Sequence, residues 1–117
     1  MKTLLKTLIP LAALAATTAW AGDADKGEVI YEAYCTQCHG MDGSGGGINV
    51  ADMSVQPRDH TDPGEMSART DAELAKAIRH GGSAVDKSVL MPAWGKNLSD
   101  EQVDHLVAYL RRLCCQE

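Results

Sequence analysis

The five residues from Cys35 to His39 carry two thiols and an imidazole in the order C-x-x-C-H. Thiols at this spacing can add to both vinyl groups of one porphyrin, and the next residue then brings an imidazole nitrogen under the iron. The pattern therefore predicts covalent attachment of one haem c through Cys35 and Cys38, with His39 as the proximal iron ligand.

Two other kinds of site use cysteines at this spacing. A dithiol redox pair belongs between a strand and a helix of a βαβ unit, a context that this short chain lacks. A structural zinc site needs a second pair of ligands, but the remaining cysteines, Cys114 and Cys115, are adjacent and would chelate tetrahedral zinc poorly. For these two tail residues a vicinal disulfide would be strained, so an intermolecular bridge and free thiols are the alternatives.

A second axial ligand is predicted at Met91, in the sequence LMPAW over residues 90–94. Pro92 biases Met91 towards an extended backbone, which suits a side chain that reaches inwards from a loop. Filling of core space is the alternative role for this side chain. The other methionines after residue 21 are less suitable, because they lie too near the haem motif or in polar surroundings: Met41, Met53 and Met66.

Three histidines compete for the same position: His60, His80 and His105. Each is more often a solvated surface residue than a ligand, and His60 is the strongest rival because it lies in a loop. Thioether sulfur stabilises ferrous iron relative to a second imidazole, so Met91 predicts a higher reduction potential than His60 would.

The N-terminal residues predict export. Lys2 and Lys6 precede a largely apolar stretch over residues 8–19, which runs into the A-x-A pattern of residues 19–21. This pattern is typical of a secretory signal peptide, residues 1–21, cleaved after Ala21. An uncleaved anchor is the alternative, but the stretch is shorter than the ~20 residues that cross a bilayer. We therefore expect a periplasmic protein with one domain over residues 22–117.

Acidic side chains dominate this expected mature chain. Without Lys2 and Lys6 its formal charge is −7, because nine basic residues remain beside sixteen acidic ones. The charge disfavours nucleic acid as a partner and favours redox proteins with a basic docking surface. A membrane would be reached only through such partner complexes.

The first of three main helices is predicted to run from the N-cap Asp23 to the residues before Cys35, because apolar residues recur there at helical spacing. Gly27 interrupts this helix at a cost of about 1 kcal/mol relative to alanine, so it is either accidental or the place where another backbone approaches closely. Gly27, Tyr31 and Cys35 share one face, which is expected to point at the haem and its neighbours.

The other two main helices open with capping boxes, at residues 70–73 and 99–102, and are predicted to end near residues 80 and 113. Glycines and prolines replace helical periodicity over residues 40–64, which predicts a long loop with at most a short turn, wrapped around a large flat cofactor. Because no stretch shows convincing strand alternation, the predicted fold class is all-α, with three main helices and short helical turns around one haem.

With these motifs in this order, the chain resembles the class I cytochrome c family of small monohaem electron carriers, over essentially all of residues 22–117. The haem motif near the N-terminus and Met91 match the places where that family attaches its haem and supplies the distal ligand. Residues of the first and last helices resemble those at which the terminal helices of the family cross: Gly27, Tyr31, Leu106 and Tyr109. The resemblance implies a cytochrome c fold and a close helix crossing at Gly27.

One departure from this family concerns the partner of His39. Many relatives have a proline soon after the haem motif whose carbonyl accepts a hydrogen bond from the proximal imidazole. Here no proline follows the motif before Pro57, which leaves the partner of His39 open. Trp94 is expected to pack near the porphyrin, and Arg58 either neutralises a haem propionate or lies solvated on the surface.

These features predict an exported one-electron carrier, not an enzyme, whose iron lies between His39 and Met91 in a respiratory or periplasmic electron-transfer chain. One alternative is an electron-accepting haem subunit of a periplasmic dehydrogenase or oxidase complex. Another is a haem enzyme or gas sensor with an open sixth position, which would bind carbon monoxide rapidly when reduced.

Overall fold

The computed structural model describes residues 22–116, and the predicted signal peptide, residues 1–21, lies outside them. The described part contains five α-helices and no strand, which confirms the all-α prediction: α1 (Ala24–Tyr34), α2 (Thr36–His39), α3 (Pro63–Ser67), α4 (Asp71–His80) and α5 (Asp100–Cys115). Short 3-10 helices lie at Ile48–Asp52 and Gly82–Val85. Within residues 22–116, no helix is both long enough and apolar enough to cross a membrane.

The three main helices α1, α4 and α5 begin where the sequence predicts, because a side chain caps each of them. Asp23 accepts hydrogen bonds from two backbone N–H groups in the first turn of α1. Thr70 and Glu73 form the reciprocal capping box of α4, and Ser99 and Gln102 form that of α5. These bonds satisfy amides that a helix start leaves unpaired, so the signal for each start is local in the sequence.

Helix α1 crosses α5 at Gly27, as predicted. A Cβ atom added at Gly27 would lie 2.0 Å from the carbonyl oxygen of His105, which is a backbone atom and cannot turn aside as a side chain can. The same holds at Gly22, where an added Cβ would lie 2.0 Å from the carbonyl oxygen of Asp104. Gly22, which the sequence analysis did not single out, extends the close contact towards the start of α1.

The core lies where α1, α4 and α5 meet. Tyr31 of α1 packs on Tyr109 of α5, with ring centroids 5.1 Å apart. Because Gly27 brings the two helices close together, these aromatic side chains fill the space beside the crossing. The buried apolar residues are Tyr31, Met66, Leu74, Ala75, Ile78, Leu98, Val103, Leu106, Val107, Tyr109 and Leu110.

Hydrogen bonds from Arg111 connect α5 to the turn between α3 and α4. Its Nε donates to the Asp71 carboxylate at 2.7 Å, and its other two nitrogens donate to the carbonyl oxygens of Met66 at 2.7 Å and Arg69 at 2.5 Å. Carbonyls at a helix end lack partners within the helix, and the planar fork of a guanidinium can serve several acceptors at once. Arg111 therefore fixes the position of α3 against the last helix.

Arg111→Lys is expected to lower the free energy of unfolding by about 2–3 kcal/mol, because one ammonium group cannot reach all three acceptors. Denaturant unfolding followed by circular dichroism measures this loss. Arg79→Lys is the matched control: Arg79 pairs with Asp100 and Asp104, whose side chains are 89% and 35% exposed, so that loss should stay below about 1 kcal/mol. Equal losses in the two variants would contradict the role assigned to Arg111.

The loop predicted over residues 40–64 ends at residue 62, because α3 begins at Pro63, and its short turn is the 3-10 helix Ile48–Asp52. Its glycines bring the loop against the backbone of the haem motif. A Cβ added at Gly47 would lie 2.4 Å from the carbonyl oxygen of Gln37, and the N–H of Gly45 donates to the carbonyl of His39 at 2.8 Å. The loop therefore supports α2 directly.

The structure corrects several expectations about exposure. His60 and His105 are each only 7% exposed, whereas His80 is exposed as expected. Met66, which has polar neighbours in the sequence, is fully buried. The reason is the same in each case, since the covering groups come from remote segments: His105, for example, accepts a hydrogen bond from the backbone N–H of Asp23 at 2.9 Å.

The cysteines at the end of α5 are bonded to each other. Cys114 and Cys115 form a vicinal disulfide, which the sequence analysis expected to be strained. Cys115 is exposed, while Cys114 is partly buried against the core. Neither residue lines the cavity that contains the haem motif, which is described below.

Candidate functional site

A cavity of about 1050 Å³ opens beside α2. Its lining includes all four residues predicted to bind the haem: Cys35, Cys38, His39 and Met91. Since Met91 lies in the segment between α4 and α5, only the folded chain brings it into one cavity with the haem motif. Side chains from the long loop, α4 and α5 complete mostly apolar walls, among them Pro57, Leu74, Ile78, Leu106 and Leu110.

The haem motif is built on a helical turn that follows α1. The N–H of Cys35 donates to the carbonyl of Tyr31 at 2.8 Å, and the N–H of His39 donates to the carbonyl of Cys35 at 2.9 Å. Residues three and four apart in a helix lie on one face, so Cys38 and His39 are placed beside Cys35. Both thiols and the imidazole consequently line the same wall of the cavity.

The imidazole of His39 is held by the long loop. Its Nδ1 lies 3.1 Å from the carbonyl oxygen of Arg58, which can only accept, so Nδ1 carries the proton and Nε2 keeps a free lone pair. Burial lowers the pKa of His39, which favours the neutral ring that ligates metals. The partner of His39 is therefore the backbone of Arg58. The sequence held no signal for it, because every residue has a carbonyl.

The thiols of Cys35 and Cys38 are not bonded to one another. Burial, and to a smaller extent the nearby Cys38 thiol, raises the pKa of Cys35 to about 12. This argues against a dithiol redox pair, whose attacking sulfur needs a depressed pKa. The zinc alternative is also disfavoured, because Cys114 and Cys115 are bonded to each other and cannot supply a second pair of thiolates.

His60, the rival ligand, lies against the face of His39. The two ring centroids are 4.2 Å apart and the planes are inclined by 18°. If His39 bound a haem iron from one side, a second ligand would have to approach from the other side. A ring that stacks on His39 is poorly placed for that role, which favours Met91 over His60. His80 and His105 do not line the cavity.

Met91 lines the cavity and packs against the hydrophobic core. Its backbone is fixed on both sides, since its N–H donates to the carbonyl of Ser88 at 3.3 Å and its carbonyl accepts from the N–H of Gly82 at 3.1 Å. Met53, which the sequence placed in polar surroundings, also lines the cavity, but it does not pack against the core. The cavity thus contains two thioether side chains, of which Met91 is the better anchored.

Trp94 and Arg58 also border the cavity. The backbone N–H of Trp94 donates to the carbonyl of Ile78 at 2.9 Å, and its ring packs on Tyr34 with centroids 5.3 Å apart. Arg58 forms an ion pair with Glu65, and its side chain is 21% exposed. Arg58 is therefore partly buried and ion-paired, which differs from the fully solvated surface residue that was one of its two expected roles.

These residues fit a covalently bound haem. The cavity is slightly larger than the range of about 300–1,000 Å³ that is typical of ligand pockets, which suits a macrocycle. Two thiols, the His39 imidazole whose other nitrogen is already bonded, and two thioethers line its walls. Thiols that form thioethers, together with imidazole and thioether ligands, are the donor set of c-type haem.

Known proteins are similar to this chain over most of its length. The family described as "Cytochrome C oxidase, cbb3-type, subunit III" matches residues 22–110. A cytochrome c6 of Synechococcus sp. is 32% identical over 114 residues, which cover 94% of this chain and 91% of the relative. Cytochrome c-554(547) of Halothiobacillus neapolitanus is 32% identical over 95 residues, which cover 80% of this chain and 99% of the relative. The cbb3-type oxidase subunit CcoP of Azospirillum brasilense is 29% identical over 80% of this chain but only 29% of its own length.

Solved structures share the fold. The KustC0563 c-type cytochrome matches with a TM-score of 0.62 at 23% identity, covering 75% of this chain and 96% of that protein. A chain of the Kuenenia stuttgartiensis reducing HAO-like protein complex matches with the same TM-score of 0.62 at 25% identity, covering 79% of this chain and 43% of its own. The chain therefore belongs to the cytochrome c family, in the group described as cbb3-type, and haem c is the cofactor that this family implies.

Proposed function

We propose that the protein is an exported monohaem electron carrier in which His39 and Met91 are the axial ligands of one haem c bound to Cys35 and Cys38. The observation that carries this proposal is the convergence of these four residues on one cavity of about 1050 Å³. When bound, the haem supplies an iron that accepts and releases one electron, so the protein need not form bonds with a substrate.

The main task of the chain is then to hold both ligands in place. The carbonyl of Arg58 orients the His39 ring through a 3.1 Å bond, and the loop that carries Arg58 is supported by the haem motif itself. Gly82 fixes the backbone from which Met91 reaches into the cavity. Ligands held by outer contacts move little when the charge of the site changes, which favours fast electron exchange.

Met91 and the apolar walls favour the reduced state. Thioether sulfur stabilises ferrous iron, and an apolar environment disfavours the additional positive charge of the ferric site. Leu74, Ile78 and Leu106 line the cavity and are buried. We therefore expect a reduction potential above that of a site with two imidazole ligands.

The N-terminus and the net charge support a periplasmic carrier. The predicted signal peptide, cleaved after Ala21, would deliver residues 22–117 to the periplasm, and the structure does not describe that segment. The formal charge of −7 on the remaining chain would steer it towards redox proteins with a basic docking surface.

A chain exported by a host that matures c-type cytochromes is expected to keep one haem after denaturation, because thioether bonds survive unfolding. Intact mass measures this and also tests whether the chain begins at Gly22. Cys35→Ala leaves one vinyl group unsaturated, which shifts the visible absorption of the denatured haem to longer wavelength. Cys115→Ala is the cysteine control and should keep the native haem spectrum. A polypeptide mass without haem would overturn the proposal.

A second candidate is a haem subunit of an oxidase or dehydrogenase complex. The family description and the CcoP relative favour it, since both name an oxidase subunit. Size-exclusion chromatography of detergent extracts from the native host, followed by haem absorbance and an antibody to this chain, separates the two functions. A free carrier elutes as a small protein, whereas a subunit elutes with its complex.

A further inference from the structure

His60 is a buried imidazole that the proposed ligand set does not use. It is only 7% exposed, and its ring centroid lies 4.2 Å from that of His39, with the two planes inclined by 18°. The backbone N–H of His60 donates to the carbonyl of Gly43 at 2.7 Å, which fixes the loop at this point. The position of the ring on His39 is therefore set by the fold.

Tyr31 connects this pair of imidazoles to the helix crossing. Its ring packs edge-on against His60, with centroids 6.0 Å apart and planes inclined by 67°. Tyr31 is 1% exposed and packs in turn on Tyr109 of α5. A continuous row of rings thus runs from the α1–α5 crossing to the face of His39.

A single hydrogen bond cannot fix the plane of a ring. The bond from Nδ1 of His39 to the carbonyl of Arg58 favours ring orientations that point this N–H at the oxygen, but it tolerates deviations of about 30°. A flat group packed on the face removes that freedom. Because Arg58 and His60 lie two residues apart in the same loop, one segment supplies both restraints.

We propose that His60 is a positioning residue that holds the plane of the His39 imidazole by stacking on it. This inference rests on the proposed role of His39 as an iron ligand. The ring of His60 matters here more than its hydrogen bonding. The hydroxyl of Tyr31 is 3.5 Å from Nδ1 of His60 and 3.3 Å from the carbonyl of Gly40, so it has another acceptor.

Two substitutions separate stacking from hydrogen bonding. His60→Phe keeps a flat ring and removes the polar atoms, whereas His60→Gln keeps polar atoms and removes the ring. The ferric EPR spectrum of the haem-loaded protein reports the orientation of the axial imidazole through the separation of its g values. The spread of orientations appears in the width of the same features. The reduction potential is the second measurement.

His60→Phe is expected to keep the native EPR line shape and potential, because the stack is preserved. His60→Gln is expected to broaden the low-field EPR feature and shift the potential, since the imidazole can then tilt. The reverse pattern, with Gln native and Phe altered, would show that the hydrogen bond is what matters and would overturn the proposal. Native spectra and potentials in both variants would also overturn it.

The control for a general loss of stability is Leu98→Ala, because Leu98 is buried in the core but does not line the cavity that contains His39, so the native EPR spectrum should be kept. If the Gln variant does not retain haem, His60→Phe alone still tests the proposal. An altered EPR line shape in this variant, with an unfolding free energy equal to that of the unsubstituted protein, would contradict the stacking role. The unsubstituted protein tests the underlying ligand assignment separately. A spectrum without low-spin histidine ligation there would count against the proposed function and not against the stacking role alone.

Discussion

Replacement of Met91 by leucine will abolish the long-wavelength sulfur-to-iron absorption band of the oxidised protein and lower its reduction potential. Leucine has about the same volume, so the cavity wall stays filled, but it has no lone pair for iron. Axial ligands set haem potentials over a range of about 0.8 V, so we expect a decrease on the order of 0.1 V or more. Spectroelectrochemistry measures the band and the potential in one experiment.

Met53→Leu is the matched control, because Met53 lines the same cavity without packing against the core. It should keep the band and shift the potential little. A band lost in Met53→Leu and kept in Met91→Leu would assign the sixth position to Met53. Rapid carbon monoxide binding by the reduced, unsubstituted protein would instead favour a haem enzyme or sensor with an open site.

Substitution of Gly27 by valine is expected to lower the free energy of unfolding by about 3 kcal/mol, at the upper end of the usual cost of overpacking. The added Cβ would meet the carbonyl oxygen of His105 at 2.0 Å and the Cβ of Tyr109 at 2.8 Å, so α1 and α5 must separate. Valine has a higher helix propensity than glycine, but this offsets less than about 1 kcal/mol of the loss in unfolding free energy. Chemical denaturation of the haem-loaded protein measures the loss.

The control for this substitution is Gly46→Ala. An added Cβ there meets only the Ser44 hydroxyl at 3.5 Å, which is ordinary contact, so the free energy of unfolding should change by less than about 0.5 kcal/mol. Because α1 leads directly into Cys35, we also expect a lower yield of haem-loaded protein for Gly27→Val. If Gly27→Val has the same unfolding free energy as the unsubstituted protein, the close crossing of α1 and α5 is contradicted.

Features with a local physical cause could be predicted from the sequence. The starts of α1, α4 and α5 depend on hydrogen bonds between residues a few positions apart, such as the box formed by Thr70 and Glu73. Gly27 could be singled out because glycine is unfavourable inside a helix, and the resemblance to class I cytochromes c then implied a close helix crossing there. The haem motif could likewise be recognised from the sequence, because Cys35 and Cys38 are close neighbours in the chain.

Burial in irregular segments could not be predicted in this way. Met66 and His60 have polar neighbours in the sequence, yet α5 covers the first and His39 and Tyr31 cover the second. Met53 also has polar neighbours in the sequence, which disfavoured it as an iron ligand, although it lines the cavity. Long loops have no periodicity that shows which side faces the core, so exposure there depends on contacts with remote elements.

By itself, the sequence determined the all-α framework and indicated the cofactor class and the residues proposed to attach it, because these depend on the order and spacing of a few neighbouring side chains. Only the tertiary structure decided that the carbonyl of Arg58 holds His39 and that His60 stacks on its ring. Neither contact has a sequence signature. Every residue has a backbone carbonyl, and the face of a ring makes a contact only where two remote segments meet. The C-x-x-C-H run thus identifies the proposed ligand, and the folded loop determines how its ring is held.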